Sequence, residues 1–101
     1  MEKPEIRVSG AALADICQRW RIVELSLFGS GLRSDFGPES DIDLLVVFDP
    51  AATWSTMDLV DLQAELKMLF GRPIDLVEKS TLRNPFRRRS ILANLKVLYA
   101  A

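Results

Sequence analysis

Apolar residues recur along this 101-residue chain with two periods, and the alternation between them predicts its elements. After Ser9, which can cap a helix, Leu13, Ile16, Cys17 and Trp20 fall on one helical face, so the first helix runs to about Trp20. Ile22–Phe28 alternates and is rich in β-prone residues, which predicts a first strand broken by Gly29-Ser30-Gly31. Ser34 to Ser40, with Gly37-Pro38 inside it, reads as loop. Asp41–Phe48 is the most pronounced strand, and its apolar run Leu44–Val47 implies burial on both faces over that half. A helix capped by Ser55 or Thr56 then extends to about Phe70, with Leu59, Leu62, Leu66 and Leu69 as its stripe and Val60 and Met68 beside them. Gly71 is placed to stop it. Pro73–Val77 is a short third strand. Asn84 as cap and Pro85 at the first helical position open a last helix to about Tyr99, with Ile91, Leu92, Leu95 and Leu98 along one side. Residues 1–8 read as a loose start.

The order helix, strand, turn, strand, helix, strand, helix is that of one α/β domain over residues 1–101 with a three-stranded mixed sheet. A helix between the second and third strands suits a parallel crossover, whereas the loop between the first and second allows an antiparallel pair. No apolar run approaches the roughly 20 residues that span a bilayer, and no signal segment follows Met1, so the expectation is a cytoplasmic protein without membrane contact.

Composition narrows the chemistry. There is no histidine and a single cysteine, Cys17. That removes imidazole bases, Ser-His and Cys-His catalysis, an internal disulfide and a thiolate-imidazole zinc site. What remains is carboxylates, hydroxyls, Lys/Arg and backbone amides, a set that favours hard cations such as Mg²⁺. The net charge is −1, but it is unevenly spread: Lys79 to Lys96 holds six basic residues and no acidic one. The run Arg87-Arg88-Arg89 is either the solvated side of the last helix or a surface for phosphate steering or an acidic partner. Phe86 is the one aromatic residue near it, so direct nucleic-acid binding is not expected. Trp20 and Trp54 read as packing residues, with Trp54 a candidate partner contact.

Three aspartates stand in otherwise core-like strands. Asp41 and Asp43 lie two apart, so their carboxylates share a face, roughly 6.6 Å apart along the strand. Asp75 lies within Ile74-Asp75-Leu76-Val77. A partly buried carboxylate is costly unless paired, hydrogen-bonded or bound to metal, and neighbouring carboxylates repel. Magnesium relieves both effects. Taken singly, Asp41 and Asp43 also fit two solvated acids at a strand start, and Asp75 an edge acid paired with Arg72 or Lys79. Gly29-Ser30 permits close backbone approach to a phosphate and adds a hydroxyl donor, although alone it also fits an ordinary turn. Arg33 stands three residues on, facing either phosphate or solvent.

Taken together, Leu27-Phe28-Gly29-Ser30, ten residues, then Asp41-Ile42-Asp43-Leu44-Leu45-Val46 strongly resembles the G-S-x10-D-x-D signature of the DNA polymerase β-like nucleotidyltransferase superfamily, and the short chain resembles its minimal (MNT) branch. Gly71-Arg72-Pro73-Ile74-Asp75-Leu76-Val77 is similar to that family's third strand and third acid. The resemblance covers about residues 23–99. It implies a single small nucleotidyltransferase domain, a three-stranded mixed sheet flanked by about four helices, with a motif core over about 23–78 and a C-terminal helix over about 85–99. It implies that Gly29 and Ser30 hold the triphosphate of ATP, with Arg33 and Ser40 as further nucleotide contacts. Asp41 and Asp43 are then ligands of two Mg²⁺ ions, and Asp75 is a metal ligand and general base. The implied partner is a HEPN-type toxin, the chain its antitoxin, and the reaction AMP transfer to a HEPN tyrosine.

The chain departs from the branch's common pattern at Gly31-Leu32 (often Arg-Ala), at Ser34 (often Gly), and at Asn94 and Leu95 (often an acid nearby). A module that neutralises a partner by contact alone, and a small-molecule nucleotidyltransferase whose acceptor site is completed by oligomerisation, are the alternatives.

Overall fold

The structure, a computed structural model, describes residues 8–29 and 41–101. The elements run α1 (Gly10–Arg19), β1 (Ile22–Phe28), β2 (Ile42–Phe48), α2 (Thr56–Phe70), β3 (Ile74–Glu78), a 3₁₀ turn (Lys79–Thr81), α3 (Pro85–Ala93) and β4 (Lys96–Ala100). The sheet is mixed, in the order β3-β2-β1-β4. β1 pairs antiparallel with β2 and β4, and β2 pairs parallel with β3. The loop-joined antiparallel pair and the crossover through α2 therefore stand as the sequence predicts.

The helix ends follow local hydrogen-bond chemistry. The Ser9 hydroxyl accepts from the Ala12 amide at 3.3 Å. At α2, the Ser55 hydroxyl accepts from the Asp58 amide at 3.1 Å while the Asp58 carboxylate accepts from the Ser55 amide at 2.9 Å, a reciprocal capping box. Ser55 rather than Thr56 is thus the cap. Gly71 ends α2 in the left-handed region, φ 72°. Asn84 Oδ1 accepts from Phe86 and Arg87, and Pro85, which has no amide to satisfy, starts α3.

The expected last helix to Tyr99 and the three-stranded sheet are corrected. The helix stops at Ala93, and Lys96–Ala100 forms a fourth strand on β1. Three α-helices stand among the described residues, not about four. Ile91, Leu92, Leu95 and Leu98 fit a helical stripe, but short apolar runs do not separate helix from strand by period alone. Val97, Leu98 and Tyr99 suit a strand, and pairing with β4 covers the edge that β1 would otherwise expose.

Each sheet face carries its own cluster. On one, α1 and α2 cover Leu25, Leu27, Ile42, Leu44, Val46 and Ile74 with Leu13, Ile16, Cys17, Leu62 and Leu66. On the other, Phe28 and Leu45 meet Leu82 and Ile91, with Val77, Leu92 and Leu95 packed against them. The predicted two-sided burial of β2 follows from this, Leu44 and Val46 facing one cluster and Leu45 the other. Trp20 and Trp54 pack together with ring centroids 4.9 Å apart, and the Trp54 indole donates to the Trp20 carbonyl at 2.9 Å. Among the described residues no helix is long and apolar enough to cross a membrane.

Candidate active site

The site lies on the face of the second cluster, at the end of the sheet where β1 leaves and β2 and β3 begin. Parallel pairing sets Asp43 beside Asp75, and the next pair on that face is Leu45 with Val77. Across β1, Asp43 pairs with Phe28, so one carboxylate has a buried aromatic ring on one flank and a second carboxylate on the other. Asp41 stands just ahead of β2, two residues from Asp43 and on the same side. Asp43 is half-buried, and Asp41 and Asp75 are exposed.

This register is pinned by a contact the sequence does not announce. The Ile42 amide donates to the Pro73 carbonyl at 2.9 Å, holding the start of β2 against the residue before β3. Proline cannot donate to a ladder, but on an edge strand its carbonyl still accepts. Asp75 is exposed on the edge strand β3.

Gly29 follows β1 with φ 66°. A Cβ at that position would stand 3.2 Å from Asp43 Cγ and overlap its Oδ2. Glycine is therefore required twice, for its left-handed backbone and for the space the Asp43 carboxylate occupies. The sequence pointed to close approach by a phosphate; the structure adds close approach by the first neighbouring acid. Ser30, Arg33 and Ser40 lie outside the described residues, as do the departures at Gly31, Leu32 and Ser34.

The donor set suits magnesium: oxygen-only, anionic and on adjacent strands. Among the described residues no group of three or more carboxylate or thiol side chains is already gathered closely enough to hold an ion. Magnesium is usually held by one or two carboxylates together with substrate phosphates, so a three-acid cage is not a requirement before nucleotide binds. The residues present fit a cation that arrives with its nucleotide.

Outside this site, the Glu65 carboxylate on α2 accepts from Arg19 Nη2 at 2.8 Å and from the Trp20 indole, tying α1 to α2. The Arg19 and Trp20 hydrogen bonds hold the Glu65 carboxyl below the usual range. Burial pushes the Cys17 thiol up to about 11, and no reactive role follows for it.

Comparison with known proteins identifies the family. The nucleotidyltransferase domain family matches residues 11–98. The protein adenylyltransferase MntA of Thermococcus cleftensis is 33% identical over 70 residues, covering 69% of this chain and 69% of that protein. A solved toxin–antitoxin structure with AMP-PNP superposes with a TM-score of 0.72 at 19% identity, over 93% of this chain and 75% of that one. A structure of a tri-AMPylated Shewanella oneidensis HEPN toxin in complex with its MNT antitoxin superposes with a TM-score of 0.62 at 18% identity, over 91% and 70%. At that identity the two structures speak for the fold alone. With the family matched across most of its length, and a protein adenylyltransferase 33% identical over 69% of it, the chain belongs to the nucleotidyltransferase domain family, on the branch of the protein adenylyltransferases.

Proposed function

We propose that this chain transfers AMP from ATP to a tyrosine hydroxyl of a HEPN-type partner protein, in the cytoplasm, and acts as the antitoxin of that pair. The observation that carries the reading is the Asp43–Asp75 pair on adjacent parallel strands, with Gly29 against the first of them. Asp41 and Asp43 are the residues that hold magnesium, joined by Asp75. When bound, the ion offsets phosphate charge and supports the attacking and leaving oxygens. Gly29 and Ser30 hold the triphosphate, and Arg33 and Ser40 contact the nucleotide.

Asp75, exposed at the edge strand, accepts the proton of the incoming hydroxyl. The hydroxyl oxygen forms its bond to the α-phosphorus as the bond from that phosphorus to the α–β bridging oxygen breaks. Pyrophosphate leaves with the electron pair, and AMP stays on the acceptor as a phosphodiester. The Phe28 ring beside Asp43 limits water on that flank. The name of the Thermococcus relative and the AMPylated toxin in the Shewanella complex support a protein acceptor.

The test is the intact mass of a HEPN partner after incubation with the chain, Mg²⁺ and ATP. The reading expects the mass of one or more AMP groups on tyrosine, absent with Asp43→Asn. A partner that is neutralised and modified equally well by the variant would contradict it. Neutralisation by contact alone is the competing reading, favoured by the departures at Gly31-Leu32 and by Asn94 and Leu95 where an acid often stands. It predicts a complex indifferent to Mg²⁺ and ATP, and calorimetry that finds no nucleotide binding.

A further inference from the structure

The basic segment around α3 is not used by the reaction just described, and it lies on the same sheet face as the acids, seated on Phe28 and Leu45 through Ile91. Arg83, Arg87, Arg88 and Arg89 are all exposed, and no acidic residue occurs from Lys79 to the end of the chain. None of the four forms an ion pair among the described residues. Arg88 instead donates to the Lys79 and Leu82 carbonyls at 3.5 Å, which fixes the entry to the helix. Phe86, in the first turn of α3, is 82% exposed, and Arg89 three residues on shares its side of the helix. A solvated phenylalanine next to an uncompensated arginine is an arrangement that folding alone does not require. Exposed aromatic and arginine side chains are the residues enriched at the centres of protein interfaces.

We infer that the Phe86–Arg89 side of α3, flanked in sequence by Arg83 and Arg87, is the docking surface for an acidic face of the acceptor protein, which it holds on the side of the sheet where Asp43 and Asp75 stand. The inference rests on the reading of the acceptor as a protein. The cations are guanidiniums, whose planar forks match carboxylates and phosphates alike. Two features favour an acidic protein over nucleic acid. A single aromatic side chain is no stacking platform for successive bases. The rest of the chain is acidic, which disfavours a long polyanion running past the patch.

The experiment uses two fluorescent probes, a Glu-Tyr copolymer and an oligouridylate RNA of similar length, read by anisotropy across a salt series. The chain is compared with Arg83→Glu/Arg87→Glu/Arg89→Glu, with the milder Arg87→Gln/Arg89→Gln, and with Phe86→Ala. The inference expects the Glu-Tyr probe to bind more tightly than RNA, to weaken steeply with salt, and to lose at least tenfold in affinity on charge reversal. Mg-ATP binding by calorimetry stays within twofold in every variant, which also shows that each is folded. Glu-Tyr binding untouched by either charge variant overturns the inference. So does tighter binding to RNA that the charge variants abolish, or sedimentation showing that the patch serves a second copy of this chain. The adenylylation reading fails on a different signal: a chain that binds the Glu-Tyr probe through α3 but transfers no AMP to any tyrosine keeps the surface and loses the reaction.

Discussion

The Asp43 carboxylate occupies the space that a side chain at Gly29 would need, with Cγ 3.2 Å from where a Cβ would stand. The backbone at Gly29 is also left-handed, which costs a residue with a Cβ about 1–2 kcal/mol. Gly29→Ala is therefore expected to destabilise the fold by about 2 kcal/mol and to displace Asp43. Mg-ATP affinity should fall on the order of tenfold or more, a loss of about 1.4 kcal/mol or greater in binding. Urea unfolding and calorimetry on the same preparation measure both, and unchanged nucleotide affinity would separate Gly29 from the site.

Asp43 and Asp75 are neighbours in register but differ in exposure, and their variants should differ in kind. Asp43→Asn is expected to abolish Mg-dependent ATP binding. Asp75→Asn should retain much of that binding and lower the transfer rate by on the order of 10²- to 10⁴-fold, the usual worth of a general base. Paired calorimetry and single-turnover transfer assays give the split. Equal losses of binding in the two variants would assign Asp75 to the metal alone.

The Arg19 and Trp20 hydrogen bonds to Glu65 lower its carboxyl pKa in the folded chain. A depressed carboxylate stabilises the fold above the unfolded pKa, and that contribution is lost as pH falls through the folded value. Glu65 is half-buried and Arg19 half-exposed, so their ion pair is expected to contribute no more than about 1 kcal/mol. The wild type should exceed Glu65→Gln in urea midpoint at neutral pH, and the gap should narrow as the pH is lowered toward about 3. A gap that widens on acidification would contradict the assignment.

Cys17 is fully buried, and its thiol is pushed up to about 11. Thiolate is the reactive form, so the native chain should resist a disulfide reagent at neutral pH. Labelling should rise along the same denaturant curve as Trp fluorescence. Rapid modification without loss of fluorescence would show that α1 opens locally.

Much of this architecture is legible in the residues because local signals and burial agree. Ser9, Ser55 and Asn84 cap helices as their side-chain chemistry demands, and Ile22–Phe28 is a strand with the ends its pattern predicts. Asp41 and Asp43 announce themselves as acids in an apolar strand. Three features are not legible. Lys96–Ala100 is a strand because β1 offers it an edge, a non-local fact that the helix-like spacing of Leu92, Leu95 and Leu98 conceals. The packing of Gly29 against Asp43 depends on how β1 and β2 pair, and the register of Asp43 with Asp75 on the bond from Ile42 to Pro73.

Transfer of the nucleotidyl group is read from the position of the label on ATP. The chain is incubated with Mg²⁺ and a HEPN partner, once with ATP labelled at the α-phosphate and once at the γ-phosphate, with Asp43→Asn alongside. The partner is expected to carry label from the α position alone, and none with the variant. Label arriving from the γ position, or persisting undiminished in Asp43→Asn, would contradict it.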